Sequence, residues 1–404
     1  MKSNPIRFSN KSVRKFFSIF WLVFSLFTWQ QISLITLKSS LESASYEMNL
    51  FAYIIYYLAT LGFIIFSACF MEEFMQKSYY YSWIIIAIAS YLVLFFSSNL
   101  IVYAFLSGAS IGIGIPICLA YFADNTEIEN RGKNGALIFF ATSLSFPLLA
   151  WIQEKNFFFG LIWIIILLMV FILVQQEFTV IKVERKIHFR TILTERQFIL
   201  YFLSWSTYCF IDAFEAPILN NFLEKAFSPY IINILANIGT IVTAIAILLS
   251  GVMADRYGRK RILTYGFVTL GVAYAIVGVA YQSLISWLIF SIITGTATGY
   301  FAVIFIFTIW GDLSQKGLRG KYYAIGSCPF FLIFFIQKLI TPYITQIPVS
   351  AAFSFASFFL FLAVIPLMYA SETLPETIIK RRELKEYIEK AKKIRERHER
   401  REEN

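Results

Sequence analysis

Charge is scarce in this sequence. Asp, Glu, Lys and Arg together make up 15% of its 404 residues, against about a quarter in soluble chains, which excludes a fold whose whole surface faces water. Histidine occurs twice, at His188 and His398. Two imidazoles so far apart exclude a histidine-built metal centre and the clustered catalytic histidines expected of a membrane-embedded transferase. The four cysteines, Cys69, Cys118, Cys209 and Cys328, never stand as C-x-x-C, and all fall in or beside apolar runs. They read as small core residues, so neither disulfides nor metal ligands are expected. No G-x-x-x-x-G-K-[ST] loop is present, which removes a phosphate-cradling, ATP-driven pump. No cofactor and no metal are expected, and no stretch is long and polar enough for a soluble domain.

Apolar residues fill the space that charge leaves. The chain is 58% hydrophobic and 19% aromatic, with 44 phenylalanines, and its mean hydropathy is +0.67. Such a surface needs lipid. Runs of roughly 18 or more mainly apolar residues, the length that spans a hydrocarbon core, begin near Phe16, Asn49, Tyr79, Leu100, Asn134, Phe157, Phe198, Pro229, Arg261, Leu284, Tyr322 and Val349. The expectation is an all-α integral membrane protein of twelve transmembrane helices. The first run follows Lys11, Arg14 and Lys15 as a secretory signal would, but it is too long and lacks an A-x-A-like end, so it reads as an uncleaved first helix. Lys and Arg gather in alternate connections: only Lys38, Lys155 and Lys225 fall on the other side, and Lys338 lies inside the eleventh run. By the positive-inside rule both termini are cytoplasmic, in a multi-pass protein expected at the plasma membrane. The net charge of +10 is that bias plus a basic tail, and nucleic acid is not an expected partner.

Two connections repeat. Residues 124–133 begin at Asp124 and end Arg131-Gly132-Lys133; residues 312–321 begin at Asp312 and end Arg319-Gly320-Lys321, so four identities recur at one offset of 188 residues. Both stretches occupy the same place in a six-helix count, which duplication of a six-helix unit produces. The long interior connection divides the chain into a tail (1–15), a first bundle (16–175), a linker (176–197), a second bundle (198–370) and a basic tail (371–404). Between the eighth and ninth runs stands Gly251-Val-Met-Ala254-Asp255-Arg256-Tyr257-Gly258-Arg259-Lys260-Arg261. This G-x-x-x-D-R-x-G-R-K loop resembles the best-known signature of the major facilitator superfamily. The paired D-x6-R-G stretches, and Ser371-Glu372-Thr373-Leu374-Pro375-Glu376 after the last run, resemble motifs of its sugar-porter-like branches. The resemblance implies two pseudo-symmetric six-helix bundles and alternating access to a small organic solute.

The same residues can be read physically. Gly251 permits close helix approach and Gly258 a tight turn. Asp255 faces either Arg259 or the positive end of a helix across the half boundary. Arg256, Arg259 and Arg319 then have Asp255 and Asp312 as expected partners. The resemblance implies that Gly251, Asp255, Arg256, Gly258, Arg259, Lys260, Asp312, Arg319, Gly320, Asp124, Arg131 and Gly132 hold a cytoplasmic gate; the plainer reading is positive-inside charge. The first half departs from the pattern. After the second run the chain reads Glu72-Glu73 and Lys77 without the glycines and arginines, and Gly108 stands where helix 4 of the family usually has arginine.

Ionisable residues inside a span mark function by default. Asp212 and Glu215, an i, i+3 pair in the seventh run, are the candidates for proton coupling or solute contact, and Lys338 at similar depth is an expected partner for one of them. Gln337 and, from the first run, Trp29, Gln30 and Gln31 are further candidates, or else polar packing between helices. The resemblance places helices 1, 4, 7 and 10 around the cavity and implies a proton-coupled sugar or metabolite symporter, monomeric, with membrane lipid as its surroundings. The abundant phenylalanine leaves efflux of lipophilic compounds as an alternative, and a membrane-embedded enzyme is the rival from another class. Leu384, Tyr387, Ile388, Ala391 and Ile394 recur at helical spacing in the tail, fitting a helix on anionic headgroups or one simply solvated.

Overall fold

The computed structural model describes residues 10–42, 44–70, 77–155 and 188–382, with short stretches within 162–172 and 384–392. All regular structure among the described residues is helical. In chain order the elements are α1 (Asn10–Leu41), α2 (Tyr46–Phe70), α3 (Lys77–Ser97), α4 (Leu100–Asn125), α5 (Arg131–Lys155), the short α6 (Phe189–Thr194), α7 (Arg196–Ala226), α8 (Pro229–Tyr257), α9 (Arg259–Ala280), α10 (Leu284–Phe301), α11 (Arg319–Ile344), α12 (Val349–Leu362) and α13 (Val364–Tyr369). Most of the sixth expected span, the loop after α2 at 71–76, most of the 176–197 connection and most of the tail beyond Arg382 lie outside the described residues.

Among the described residues, eight helices are long and apolar enough to cross a membrane, and the 81–97 part of α3 is a shorter apolar helix. α5 and α7 are not in that group; α7 carries Asp212, Glu215, Glu224 and Lys225. Helices are the form that satisfies every backbone polar group without water, and their ends are marked locally. Asn99 accepts from the Val102 N–H at 3.2 Å to start α4, and Pro229 occupies the first turn of α8, where its missing N–H costs nothing. Gly258, at φ +98°, ends α8 and begins α9. α10 continues past Phe301 as an eight-residue π-helical stretch, Ala302–Ile309, and closes with Trp310–Leu313.

Two groups of helices result. In the first, α1, α2 and α3 pack on α4, and α1 packs on α5; in the second, α8 packs on α10, α9 on α10 and α12, and α7 on α11 and α12. The groups meet chiefly along two seams, α2 with α11 and α5 with α8, and α4 also packs against α11. Counting helices within each half, the second helix of one meets the fifth of the other at both seams, the relation a twofold axis imposes. Large apolar side chains such as Phe96, Ile285 and Phe355 are exposed around the outside, as a lipid-facing perimeter requires.

Candidate functional site

The loop between α8 and α9 marks one end of the molecule, here the signature end, and charged groups close the two halves on each other there. Asp255 sits at the end of α8 with its side chain fully buried. Its carboxylate accepts from the backbone N–H groups of Gly132 at 3.0 Å and Lys133 at 2.8 Å. These are free donors at the positive end of α5, so a side chain of the second half caps a helix of the first. The approach needs glycine on both sides. A Cβ on Gly132 would lie 2.6 Å from Asp255 Oδ1, and one on Gly251 would run into the Ala136 methyl and the Gly132 backbone.

The repeated aspartates and arginines exchange partners between the halves. Asp312 is paired with Arg131 and, at 2.8 Å, with Arg259 Nε; Asp124 is paired with Arg319 at 3.0 Å. Arg259 also reaches Asp255 at 3.5 Å and donates to the Ile128 carbonyl at 2.7 Å. The side chains of Asp255, Arg259 and Asp312 are all 0% exposed, so each charge depends on its partner. The motif after α13 completes the arrangement. Glu372 accepts from the Arg259 and Lys260 N–H groups at 2.9 and 3.1 Å, capping α9 as Asp255 caps α5. Thr373 donates to Asp312 at 3.3 Å, and Lys260 Nζ donates to the carbonyls of Met368 and Ala370 at the end of α13. Arg382 donates to the carbonyls of Asp255 and Glu129, bridging the halves from the tail. Glu372→Ala removes both acceptors at the start of α9; an N-cap loss of about 1 kcal/mol is expected, measured as a lower melting temperature of the detergent-purified protein.

Above this network lies an aromatic layer. Phe307, from the π-helical stretch of α10, packs against Phe27 of α1, Phe122 of α4 and Phe139 of α5 at ring separations of 5.3 to 5.9 Å. On its other side is a cavity of about 300 Å³ between α1, α4, α5, α7, α10 and α11. Gln30, Gln31 and Asp212 are on its wall, among aromatic rings from Trp205, Tyr208, Phe305 and Trp310. The π-helical stretch turns Ala302, Phe305 and Ile306 toward this space, in keeping with the frequency of such distortions at functional sites. Gln31 and Thr298 also border a crevice of about 470 Å³ that is lined by α7, α8 and α10 and opens onto α5 at Ser143 and Phe146, away from the signature end. The α5/α8 seam is therefore shut at the signature end and parted beyond it.

The expected site residues separate into groups. Asp212 lines the cavity and makes no hydrogen bond or ion pair with another described residue. Glu215, three residues on, is turned into the second half, where its Oε2 accepts from the Tyr274 hydroxyl at 2.5 Å and its Oε1 is buried without a partner. Gln30 and Gln31 face the cavity, but Trp29 is 100° around the helix from Gln30 and donates to Ser110 of α4 at 3.1 Å. Gln337 donates to the Ala213 carbonyl at 2.6 Å, tying α11 to α7. The expected pairing of Lys338 with Asp212 or Glu215 is not made. Its face of α11 turns to the α2 seam, and its ammonium stands 4.3 Å from the centre of the Tyr53 ring. Arg256 lies against the Tyr257 ring on an exposed face, while Asp255 and Asp312 take Arg131 and Arg259. Arg319 meets Asp124, and Gly320 is buried at the start of α11.

Sequence reasoning passed over Glu372, Thr373 and Arg382 as network members, and Trp205, Tyr208, Phe305 and Trp310 as cavity wall. One signal was available: residues 205, 208, 209 and 212 recur at three- and four-residue spacing, a single face of α7 leading to Asp212. Among the described residues, no three His, Cys, Asp or Glu side chains gather as a metal site.

The sequence profile of the Major Facilitator Superfamily matches residues 157–399. No curated protein matches the sequence significantly. Among solved structures, the proton:xylose symporter XylE bound to 6-bromo-6-deoxy-D-glucose is similar with a TM-score of 0.69 at 14% identity, over 90% of this chain and 97% of that one. FucP, a transporter of this superfamily in the outward conformation, gives a TM-score of 0.71 at 10% identity, over 88% and 98%. The human organic anion transporter MFSD10 gives 0.66 at 15% identity, over 88% and 99%. At these identities the likeness is one of fold.

Proposed function

The chain belongs to the Major Facilitator Superfamily, and from that membership and the site just described we propose that it is a proton-coupled secondary transporter working by alternating access. That it is a multi-pass membrane protein moving small solutes, and not an enzyme, follows from the family. The finer reading is that two bundles, 16–175 and 198–370, rock about the cavity, that the signature end is cytoplasmic together with both termini, and that the protein acts as a monomer in the plasma membrane. The observation that carries it is a cavity closed at one end by charges exchanged between the halves, with an unpaired carboxylate, Asp212, in its wall. A carboxylate without a cation partner in an apolar wall is a place where a proton can be taken up and released as the cavity changes sides.

The test is uptake into liposomes holding the purified protein, screened over radiolabelled hexoses, organic acids and organic cations, with and without an imposed pH gradient. A flux stimulated by the gradient is expected, with stimulation lost in Asp212→Asn and retained in Glu215→Gln, whose carboxylate is turned away from the cavity. Flux indifferent both to the gradient and to Asp212→Asn would leave a facilitator and end the coupling proposal.

A further inference from the structure

We infer that the solute accepted by this cavity is a compact organic cation, a protonated or quaternary amine with an apolar body, which takes the place of a proton on Asp212. The inference rests on the transport reading above and names the substrate class of the same site.

It begins with the polar groups the wall can still offer. The Tyr208 hydroxyl and Thr298 are shared with each other at 3.3 Å. Thr142 already donates to the Ile138 carbonyl and Ser327 to that of Tyr323. That leaves Gln30, Gln31, Asp212 and the Trp310 indole N–H as the polar side-chain groups on the wall with no hydrogen bond to another described residue, while the hydroxyls just named have part of their capacity spent. A hexose brings five hydroxyls or more in its ring form, and each one buried without a partner loses its water hydrogen bonds for nothing. Four side chains, Asp212 acceptor-only and Trp310 donor-only, do not meet that demand in full.

The same wall suits a cation. Among the described residues, Asp212 is its one charged group and no Lys or Arg lines the cavity, so an anionic solute finds repulsion and no counter-ion. The aromatic rings add a second attraction, since ring faces draw cations, most strongly where water is excluded. Trp205 is held for this role: its indole N–H donates to the Gly326 carbonyl at 2.9 Å, and its ring lies 4.9 Å from Phe305 and 5.7 Å from Tyr208.

Among the described residues, nothing else near Asp212 would balance its charge. Facing it from α1, α5, α10 and α11 are Gln30 and Gln31, Thr142, Thr298 and Ser327, all neutral, and α4 offers Ile115 and Leu119. On its own helix Tyr208 and Cys209 also line the cavity, while Glu215 is bonded to Tyr274 of α9 and Lys338 of α11 stands over Tyr53. A proton and an organic cation therefore compete for one carboxylate, and binding of one displaces the other. Competition of that kind makes the coupled cycle an exchange, the cation moving against the proton.

The experiment is equilibrium binding to the detergent-purified full-length protein, with flux measured in parallel in liposomes. The probes are 1-methyl-4-phenylpyridinium, its uncharged analogue of similar shape 4-methylbiphenyl, 4-phenylbenzoate, and glucose. The cation is expected to bind at least tenfold more tightly than the other three, to weaken at least tenfold as pH falls far enough to protonate Asp212, and to weaken at least tenfold in Asp212→Asn. Asp212→Glu, which keeps the charge, should retain binding and shows that the site still folds. Equal cation binding in wild type and Asp212→Asn, or glucose or the carboxylate binding as tightly as the cation, overturns the inference. Gradient-driven glucose flux without cation binding also overturns it and leaves the transport reading standing. Cation binding with no flux of any probe leaves the substrate class standing and removes the transport reading.

Discussion

Asp312→Ala is expected to abolish gradient-driven transport and to leave the signature end open. Asp312 is bonded to Arg131 from one half and Arg259 from the other, and also accepts from Thr373. Its side chain and that of Arg259 are fully buried, and that of Arg131 is 2% exposed. Removing it strands two guanidinium groups at a dry seam, and breaking a buried pair costs about 3 to 5 kcal/mol. When the halves part, water reaches the arginines, so the cost falls on the closed state alone. A bias of about 3 kcal/mol shifts the ratio of closed to open forms by roughly a hundredfold, at about 1.4 kcal/mol per factor of ten. The protein supplies its own reporter in Cys209, buried on the cavity wall. In a background of Cys69→Ser, Cys118→Ser and Cys328→Ser, a membrane-impermeant maleimide applied from the signature side should label Cys209 in Asp312→Ala and leave it largely unlabelled in the parent. Transport at the parental rate with no gain in labelling would mean that the ion pairs do not hold the halves together.

Gly251→Leu should reach the same end by sterics. The α5 and α8 backbones touch where Gly251 meets Gly132 and Ala136, and there is no flexible side chain to yield. An isobutyl group there separates the helices and with them Asp255 from the first turn of α5. Transport is expected to fall at least tenfold, with Cys209 labelled from the signature side as in Asp312→Ala. Gly239, on the same helix, is the control: a Cβ there would meet only the Ser291 carbonyl at 3.7 Å, so Gly239→Ala should leave labelling at the parental level. Should Gly251→Leu label no faster than Gly239→Ala, close approach at the seam does not govern closure.

What could be read beforehand was whatever depends on one dimension. Apolar run length marked the spans, and the 188-residue offset and the α8/α9 loop marked the closed end, because these are features of spacing along the chain. The two alternatives for Asp255, a local arginine or a helix end across the boundary, are both realised on one carboxylate. Partner choice was harder, since it is tertiary. Nothing in the order of residues says that Asp124 takes Arg319 and leaves Arg131 to Asp312. Helix rotation was hardest. Asp212 and Glu215 share a face by spacing, yet one looks into a cavity and the other into packed helices; Trp29 and Gln30 are neighbours pointing apart. In soluble proteins polarity reveals which side of a helix faces inward. Here lipid, packing and the aromatic cavity wall all ask for the same apolar side chains, so Phe305 and Trp310 carried no mark that distinguished them from phenylalanines in the bilayer.

The exchanged pairs have one more meaning. An aspartate of each repeat bound to the arginine of the other is the rule of an isologous interface, where residue i meets j and j meets i. The two halves are thus related as partners in a dimer that happens to share a backbone, and their docking surface is specified by the surfaces themselves. A covalent join then contributes local concentration, and it frees the two copies to diverge. The D-R-x-G-R-K loop is kept in the second half only, and the intramembrane carboxylates Asp212 and Glu215 are on α7 with no counterpart in α1. Rocking needs two matching halves, whereas chemistry needs only one of them.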